Sequence, residues 1–176
     1  MRHKKCKICK EKFQPKRPLQ MVCSYICAQQ YAAQQKQKSW KKEKKERKEK
    51  LKTRSEHLND LQKVFNKYIR LRDKDNPCIS CGSYSKQQYD AGHYRSVGAH
   101  HELRFNENNC HKQCRKCNSY WGGNLIEYRK GLINKIGIEE VEFLERNDHP
   151  PLKLTVEEIK ENLSQFQKKI KNLLDI

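Results

Sequence analysis

Two Cys-x-x-Cys pairs, Cys78/Cys81 and Cys114/Cys117, bracket a stretch that holds Asp90-Ala-Gly-His93, Asn109 and, directly after the last cysteine, Asn118. Four thiolates at this spacing satisfy a tetrahedral Zn²⁺ and leave no open coordination position. Such a zinc is structural, so the chemistry must come from the histidine and the polar residues that it holds in place. An imidazole can deprotonate water near neutral pH, and a divalent cation can neutralise the charge that builds on a phosphodiester under attack. The arrangement suggests a nuclease.

The remaining cysteines repeat the theme. Cys6, Cys9, Cys23 and Cys27 form a second tetrad, and Cys110, the last of the nine, reads as a buried thiol. In a chain that opens without a hydrophobic signal core, close paired spacings favour metal over disulfides, so two structural Zn²⁺ ions are expected. Charge points to the partner. The 176 residues carry 39 Lys+Arg against 21 Asp+Glu, a formal +18, and a chain so basic seeks a polyanion such as DNA or RNA. No apolar run approaches the roughly 20 residues of a membrane helix, so no membrane partner and a cytosolic location are expected.

The elements that must position these residues follow from patterning. Residues 1–35 read as a treble-clef-like zinc module, a knuckle at Cys6/Cys9 followed by Cys23 and Cys27 at a helix start, where i,i+4 spacing keeps both sulfurs on one face. Residues 36–75 contain no Gly or Pro and read as one long basic helix; from Lys36 to Arg54 it carries eleven Lys/Arg against Glu43, Glu46 and Glu49. Lys41, Lys42, Lys44 and Lys45 of this run are expected phosphate contacts. Leu51, Leu58, Leu61, Phe65, Tyr68 and Ile69 add an apolar stripe to its second half. Residues 76–124 form the zinc-braced core, and 125–176 are helical. Leu125 to Ile136 closes at Gly137, a short helix spans Glu139 to Arg146, and Thr155 with Glu158 caps a final helix whose apolar stripe is expected to pack within the chain.

Inside the core, Gln87 to Tyr94 reads as a strand, Arg95 to Asn109 as a polar loop, and Cys114-Arg-Lys-Cys117-Asn118 as the opening of a helix. Strand, loop and helix around one histidine resemble the ββα-metal, or HNH, endonuclease fold. The resemblance implies His93 as general base, Asn109 as the residue that braces the loop and orients His93, Asn118 as a cation ligand, and Mg²⁺ or Mn²⁺ as the catalytic ion. It departs at Gly92, where many members place a metal-binding Asp or His. Asp90 is the nearest substitute and shares the site only if the strand bulges at Gly92. His100, His101 and His111 are further candidate ligands, with His111 ranked first for its place beside Asn109. Arg95, Arg104, Lys112, Arg115, Lys116 and Arg129 are candidate phosphate contacts. Tyr94, Tyr120 and Trp121 are candidate stacking groups, with a core role as the alternative.

Across Asp90-Ala-Gly-His-Tyr-Arg, Leu103-Arg-Phe-Asn-Glu-Asn-Asn, His111-Lys-Gln-Cys, Cys117-Asn and Gly123-Asn-Leu-Ile-Glu-Tyr-Arg129 the chain resembles the NinG family of lambdoid bacteriophages, also called Rap. That resemblance implies a recombination endonuclease of the host cytoplasm acting on branched DNA such as Holliday junctions and D-loops, with phage or host recombination proteins as further partners. A symmetric junction also makes a homodimer attractive, because two cuts need two sites. The expectation is an α+β zinc protein: small zinc-stapled modules, an HNH-like ββα core, a long basic helix and C-terminal helices. Two other classes compete with the nuclease. One is a non-catalytic zinc-containing DNA-binding or recombination-accessory protein, which the missing ligand at Gly92 would favour. The other is an assembly factor that recruits partners through its last helix.

Overall fold

The computed structural model describes residues 3–84 and 88–174; Gln87, expected at the start of the core strand, lies outside them. The chain divides into two compact units, one up to Lys52 and one from Thr53 onward. The architecture is mixed, with helices outweighing two small sheets.

In the first unit β1 (Lys4–Lys5) and β2 (Lys12–Phe13) pair antiparallel around the Cys6/Cys9 knuckle. Lys10 closes that knuckle at φ 65°, a left-handed position unusual for a residue with a side chain. The chain then reaches α1 (Tyr25–Lys50), where Ser24 caps the helix by accepting from the Cys27 amide at 3.3 Å. Over 26 residues, about 39 Å of helix, only Cys27 is buried. The zinc-module helix and the basic run are therefore one element.

The expected continuous helix over 36–75 is interrupted. α1 ends at Lys50 and α2 spans Arg54–Arg72, because Thr53 and Glu56 form a reciprocal capping box that starts a new helix. Leu51 falls in the gap and is 75% exposed, so it does not join the stripe. In the rest of the stripe Leu58 is half-buried, and Leu61, Phe65, Tyr68 and Ile69 of α2 are buried, packing with Ile159, Phe166 and Ile170 of α5 (Val156–Leu173) and with Cys110. The final helix does pack within the chain, and it starts at the Thr155/Glu158 capping box.

Between these helices lies a hairpin. β3 (Tyr89–His93) and β4 (Cys110–Cys114) pair antiparallel one for one, from Tyr89 opposite Cys114 to His93 opposite Cys110. The strand does not bulge at Gly92, the condition set for Asp90 to share the site. Gly92 is there for clearance: a Cβ would overlap the Oε1 of Gln113. The expected helix after β4 is only a single wide π-helical turn, Lys116–Tyr120, closed by Trp121 N donating to Lys116 O at 2.9 Å. Gly122, Gly123 and Asn124 then follow with three successive positive φ values, 54°, 92° and 45°, and reverse the chain into α3 (Leu125–Ile136). α4 (Ile138–Glu145) packs on α3 through Tyr128, Leu132, Val141 and Leu144. Among the described residues no helix is long and apolar enough to cross a membrane.

Candidate functional site

Both cysteine tetrads assemble. In each, one Sγ from every member lies within 4.8 Å of the others. Near-neighbour separations are 3.5 Å for Cys9–Cys23, 3.7 Å for Cys23–Cys27 and 3.8 Å for Cys81–Cys114. Zn–S bonds of about 2.3 Å in a tetrahedron put sulfurs about 3.8 Å apart, so both clusters fit and could hold structural zinc. The second cluster also has the donors that thiolates require. Cys114 N points to Cys78 Sγ at 3.3 Å, Cys117 N to Cys114 Sγ at 3.4 Å, and Asn124 Nδ2 to Cys117 Sγ at 3.6 Å. Asn124 precedes α3 without capping it by its side chain, because that side chain faces the thiol.

This cluster fixes the ends of the hairpin. The Cys78 knuckle hydrogen-bonds to β4 through Ile79 N and Lys112 O at 3.1 Å. Gln113 crosses beneath Gly92 and ties the knuckle to the turn, donating to Ser80 Oγ at 2.7 Å and to Gly123 O. Asp73, at the end of α2, takes Arg72, Lys135 and the Lys112 amide. Those cations hold its carboxyl well below the usual range against the opposing effect of burial. Gln113 and Asp73 are organising residues that no pattern in the sequence marks.

His93 sits at the end of β3 on the wall of a cleft of about 420 Å³, lined also by Arg95, Ser96, His100, Asn118 and Gly122. Its Nε2 lies 3.0 Å from the main-chain oxygen of Arg104. A carbonyl only accepts, so Nε2 carries the proton and Nδ1 keeps its lone pair. Nδ1 faces the buried Cys110 thiol at 3.6 Å. Burial lowers the His93 pKa from its ordinary value, partly countered by the Arg104 carbonyl, so the ring is a neutral base near pH 7. Asn109 is fully buried and braces the loop as expected. It accepts from Arg95 N at 2.8 Å and donates to Arg95 O at 3.0 Å and Leu103 O at 3.2 Å. It does not bond to His93; it fixes the segment whose next carbonyl, that of Arg104, does.

Asn118 reaches the cleft from the π-helical turn and donates to Asp90 Oδ2 at 3.2 Å. A carboxylate and an amide side by side, the amide lining an open cleft, are hard oxygen donors that suit Mg²⁺ or Mn²⁺. Asp90 thus meets Asn118 without any bulge. His100 lines the same cleft, its Nδ1 3.0 Å from Glu102 Oε1. His111, ranked ahead of it from the sequence, does not. On β4 opposite Gly92 it is fully buried against Tyr128, and it lines a separate cavity with Asp73 and Lys135. Burial pushes its pKa down to about 3. His101 is exposed and outside the cleft lining.

The cationic candidates divide. Arg115 and Lys116 are exposed, and Arg95 forms part of the cleft wall. Lys112 is buried, its Nζ donating to Lys74 O at 2.8 Å and Asn76 O at 2.7 Å. Arg129 is clamped bidentately on Glu145 at 2.7 and 3.0 Å, and Arg104 on Gln62 at 2.6 Å. These three are committed to the fold. On α1, Lys38, Lys41, Lys45 and Lys48 recur every three or four residues along one face. Lys42 and Arg47 instead face Glu46 and Glu43, at 3.9 and 2.9 Å, while Lys44 lies over Trp40 at 4.9 Å. Tyr94 is a packing residue, tilted against Tyr128 at 5.5 Å with its hydroxyl on Glu145. Tyr120 and Trp121 are exposed.

A family model described as the bacteriophage lambda NinG protein matches residues 1–175. The chain is similar to Protein ninG of Escherichia phage 933W, 42% identical over 188 aligned residues that cover 97% of this chain and 93% of the relative. It is also similar to Protein ninG of Escherichia phage lambda, 48% identical over 123 residues covering 70% and 60% of the two chains, and to that of Salmonella phage P22, 47% identical over 125 residues covering 71% and 61%. No solved structure matches the chain.

Proposed function

The chain belongs to the NinG family of bacteriophage proteins, and from that premise we propose that it is a divalent-metal-dependent DNA endonuclease acting on branched recombination intermediates. The observation that carries the reading is the cleft that His93 and Asn118 share, with Asp90 on Asn118, braced from behind by a cysteine cluster fit for zinc. His93 is the base of this reading: Arg104 O and the Asn109-braced loop hold the ring, and Nδ1, which faces the Cys110 thiol, must turn to the cleft to take a proton from water. Asp90 and Asn118 would hold Mg²⁺ or Mn²⁺, which supplies charge neutralisation at the scissile phosphate. Arg95, Arg115 and Lys116 attract the backbone around the cleft, and the free lysine face of α1 adds sequence-independent affinity. In this reading the protein works on DNA in the host cytoplasm.

A second reading, a non-catalytic DNA-binding or recombination-accessory protein, draws on Gly92, which leaves the position before His93 without a ligand. Titration of the purified protein with Mn²⁺, followed by electron paramagnetic resonance, separates the two. The nuclease reading expects a bound ion that Asp90→Ala and Asn118→Ala each weaken, with cleavage of a four-way junction lost in step. Unchanged Mn²⁺ binding in both variants would favour the accessory reading.

A further inference from the structure

We propose that Tyr120 and Trp121 form an aromatic wedge that stacks on base faces unstacked at the branch point of the DNA, and that this wedge supplies preference for branched over duplex substrate. The inference rests on the proposed action on DNA and adds the element that recognises the branch.

Tyr120 is 80% exposed and Trp121 47% exposed, in consecutive positions at the end of the π-helical turn. Large aromatics so uncovered contribute little to the core, yet they are carried on one of the most constrained segments of the chain. Cys117, in the same turn, belongs to the cysteine cluster. Gly123 N donates to Cys117 O at 2.9 Å, Asn124 N to Trp121 O at 2.9 Å, and Gln113 holds Gly123 O. The three left-handed residues after Trp121 turn the chain away, so the two rings are left at a tip. A rigid tip presents its rings at little entropic cost on binding.

Position and charge name the occupant. Gly122 and Gly123, immediately after the rings, line the cleft that holds His93 and Asn118, so a base against the wedge belongs to the nucleotide strand entering that cleft. Lys116 Nζ lies over one face of the Trp121 ring at 4.6 Å, so a base stacks on the other face, with a cation close by for its phosphate. An aromatic face flanked by a cation fits single-stranded nucleic acid, whose bases expose their π faces, and duplex DNA offers none because its bases are already stacked. A junction breaks the continuous stack only at its branch point, so base faces come free there.

The test is binding, in Ca²⁺ to hold the DNA intact, of the full chain to a synthetic four-way junction and to a duplex of the same arm sequence. Stacking is worth about 1–3 kcal/mol per base, so Tyr120→Ala/Trp121→Ala should weaken junction binding about ten-fold or more and change duplex binding less than about two-fold. Tyr120→Phe/Trp121→Phe should keep the preference. In a Trp40→Phe background, Trp121 fluorescence should quench on the junction and not on the duplex. Equal losses on both DNAs, or no loss on either, would overturn the proposal. Zinc content equal to wild type shows that the variants are folded. A wild-type protein that binds the junction selectively through the wedge yet never cleaves it fails the nuclease reading and supports this one.

Discussion

His93 Nε2 donates to the main-chain oxygen of Arg104 at 3.0 Å, and this one bond determines which nitrogen of the candidate base is basic. The donor is a side chain at the end of β3, and the acceptor is a peptide of the loop that Asn109 braces one residue earlier through Leu103 O. Hairpin, loop and buried asparagine therefore act together on one ring.

The first consequence is a pH profile. Burial lowers the His93 pKa, so its neutral form predominates at pH values where a free histidine is still partly protonated. DNA cleavage should rise with pH along a limb lying below about 6.5 and be flat from neutrality upward. A rate still climbing ten-fold per unit above pH 7 would assign the limiting proton to another group.

Gly92 offers a test of packing. A Cβ there collides with Gln113, so Gly92→Ala should cost about 1–3 kcal/mol, read as a lowered urea midpoint. Gly92→Ala combined with Gln113→Ala should recover part of that loss. Gly92→Asp, which adds a carboxylate directly before the candidate base, should destabilise the protein and raise no activity. A gain in cleavage would show that the position faces the metal.

His111 gives stability its own pH dependence. The folded protein keeps this ring neutral down to about pH 3, whereas the unfolded chain takes up a proton below about 6.5. The group's folded pKa is depressed, so its contribution is fully present above 6.5 and is lost as pH falls toward 3, at about 1.4 kcal/mol per unit. His111→Leu should remove that slope from urea midpoints measured across the window. A parallel pair of curves for wild type and variant would place the ring in water.

The cations should separate by function. Lys41→Gln/Lys45→Gln and Arg115→Gln/Lys116→Gln should each weaken DNA binding on every sequence and reduce the salt slope by about two. Lys112→Gln and Arg129→Gln should leave that slope nearly unchanged and lower the melting temperature, because both side chains are spent on carbonyls and on Glu145. A salt slope that falls with Lys112→Gln would contradict its burial.

How far the sequence could be read depends on whether the signal is local. Both cysteine tetrads, the Thr155/Glu158 cap and the α2–α5 stripe are written in short spacings, and all appear in the fold. Thr53 and Glu56 carry the same capping signature as Thr155 and Glu158, but it lies within a strong Lys/Glu helical run whose propensity hides the break. The site residues that depend on tertiary partners were not legible. His100 and His111 are equivalent as letters, and only the alternation of β4 buries one while the loop turns the other to the cleft. Gly92 invites a bulge until Gln113 is seen beneath it, and the arginines look alike until Glu145 and Gln62 claim two of them.

The most direct measurement is cleavage of a labelled four-way junction in Mg²⁺ or Mn²⁺, beside duplex and single-stranded controls, by the wild-type protein and by His93→Ala. The account predicts cutting near the branch that falls at least about 100-fold in the variant, whose zinc content and junction affinity stay at wild-type values. Equal cutting by His93→Ala, or no cutting of any DNA form despite tight salt-sensitive binding, would contradict it.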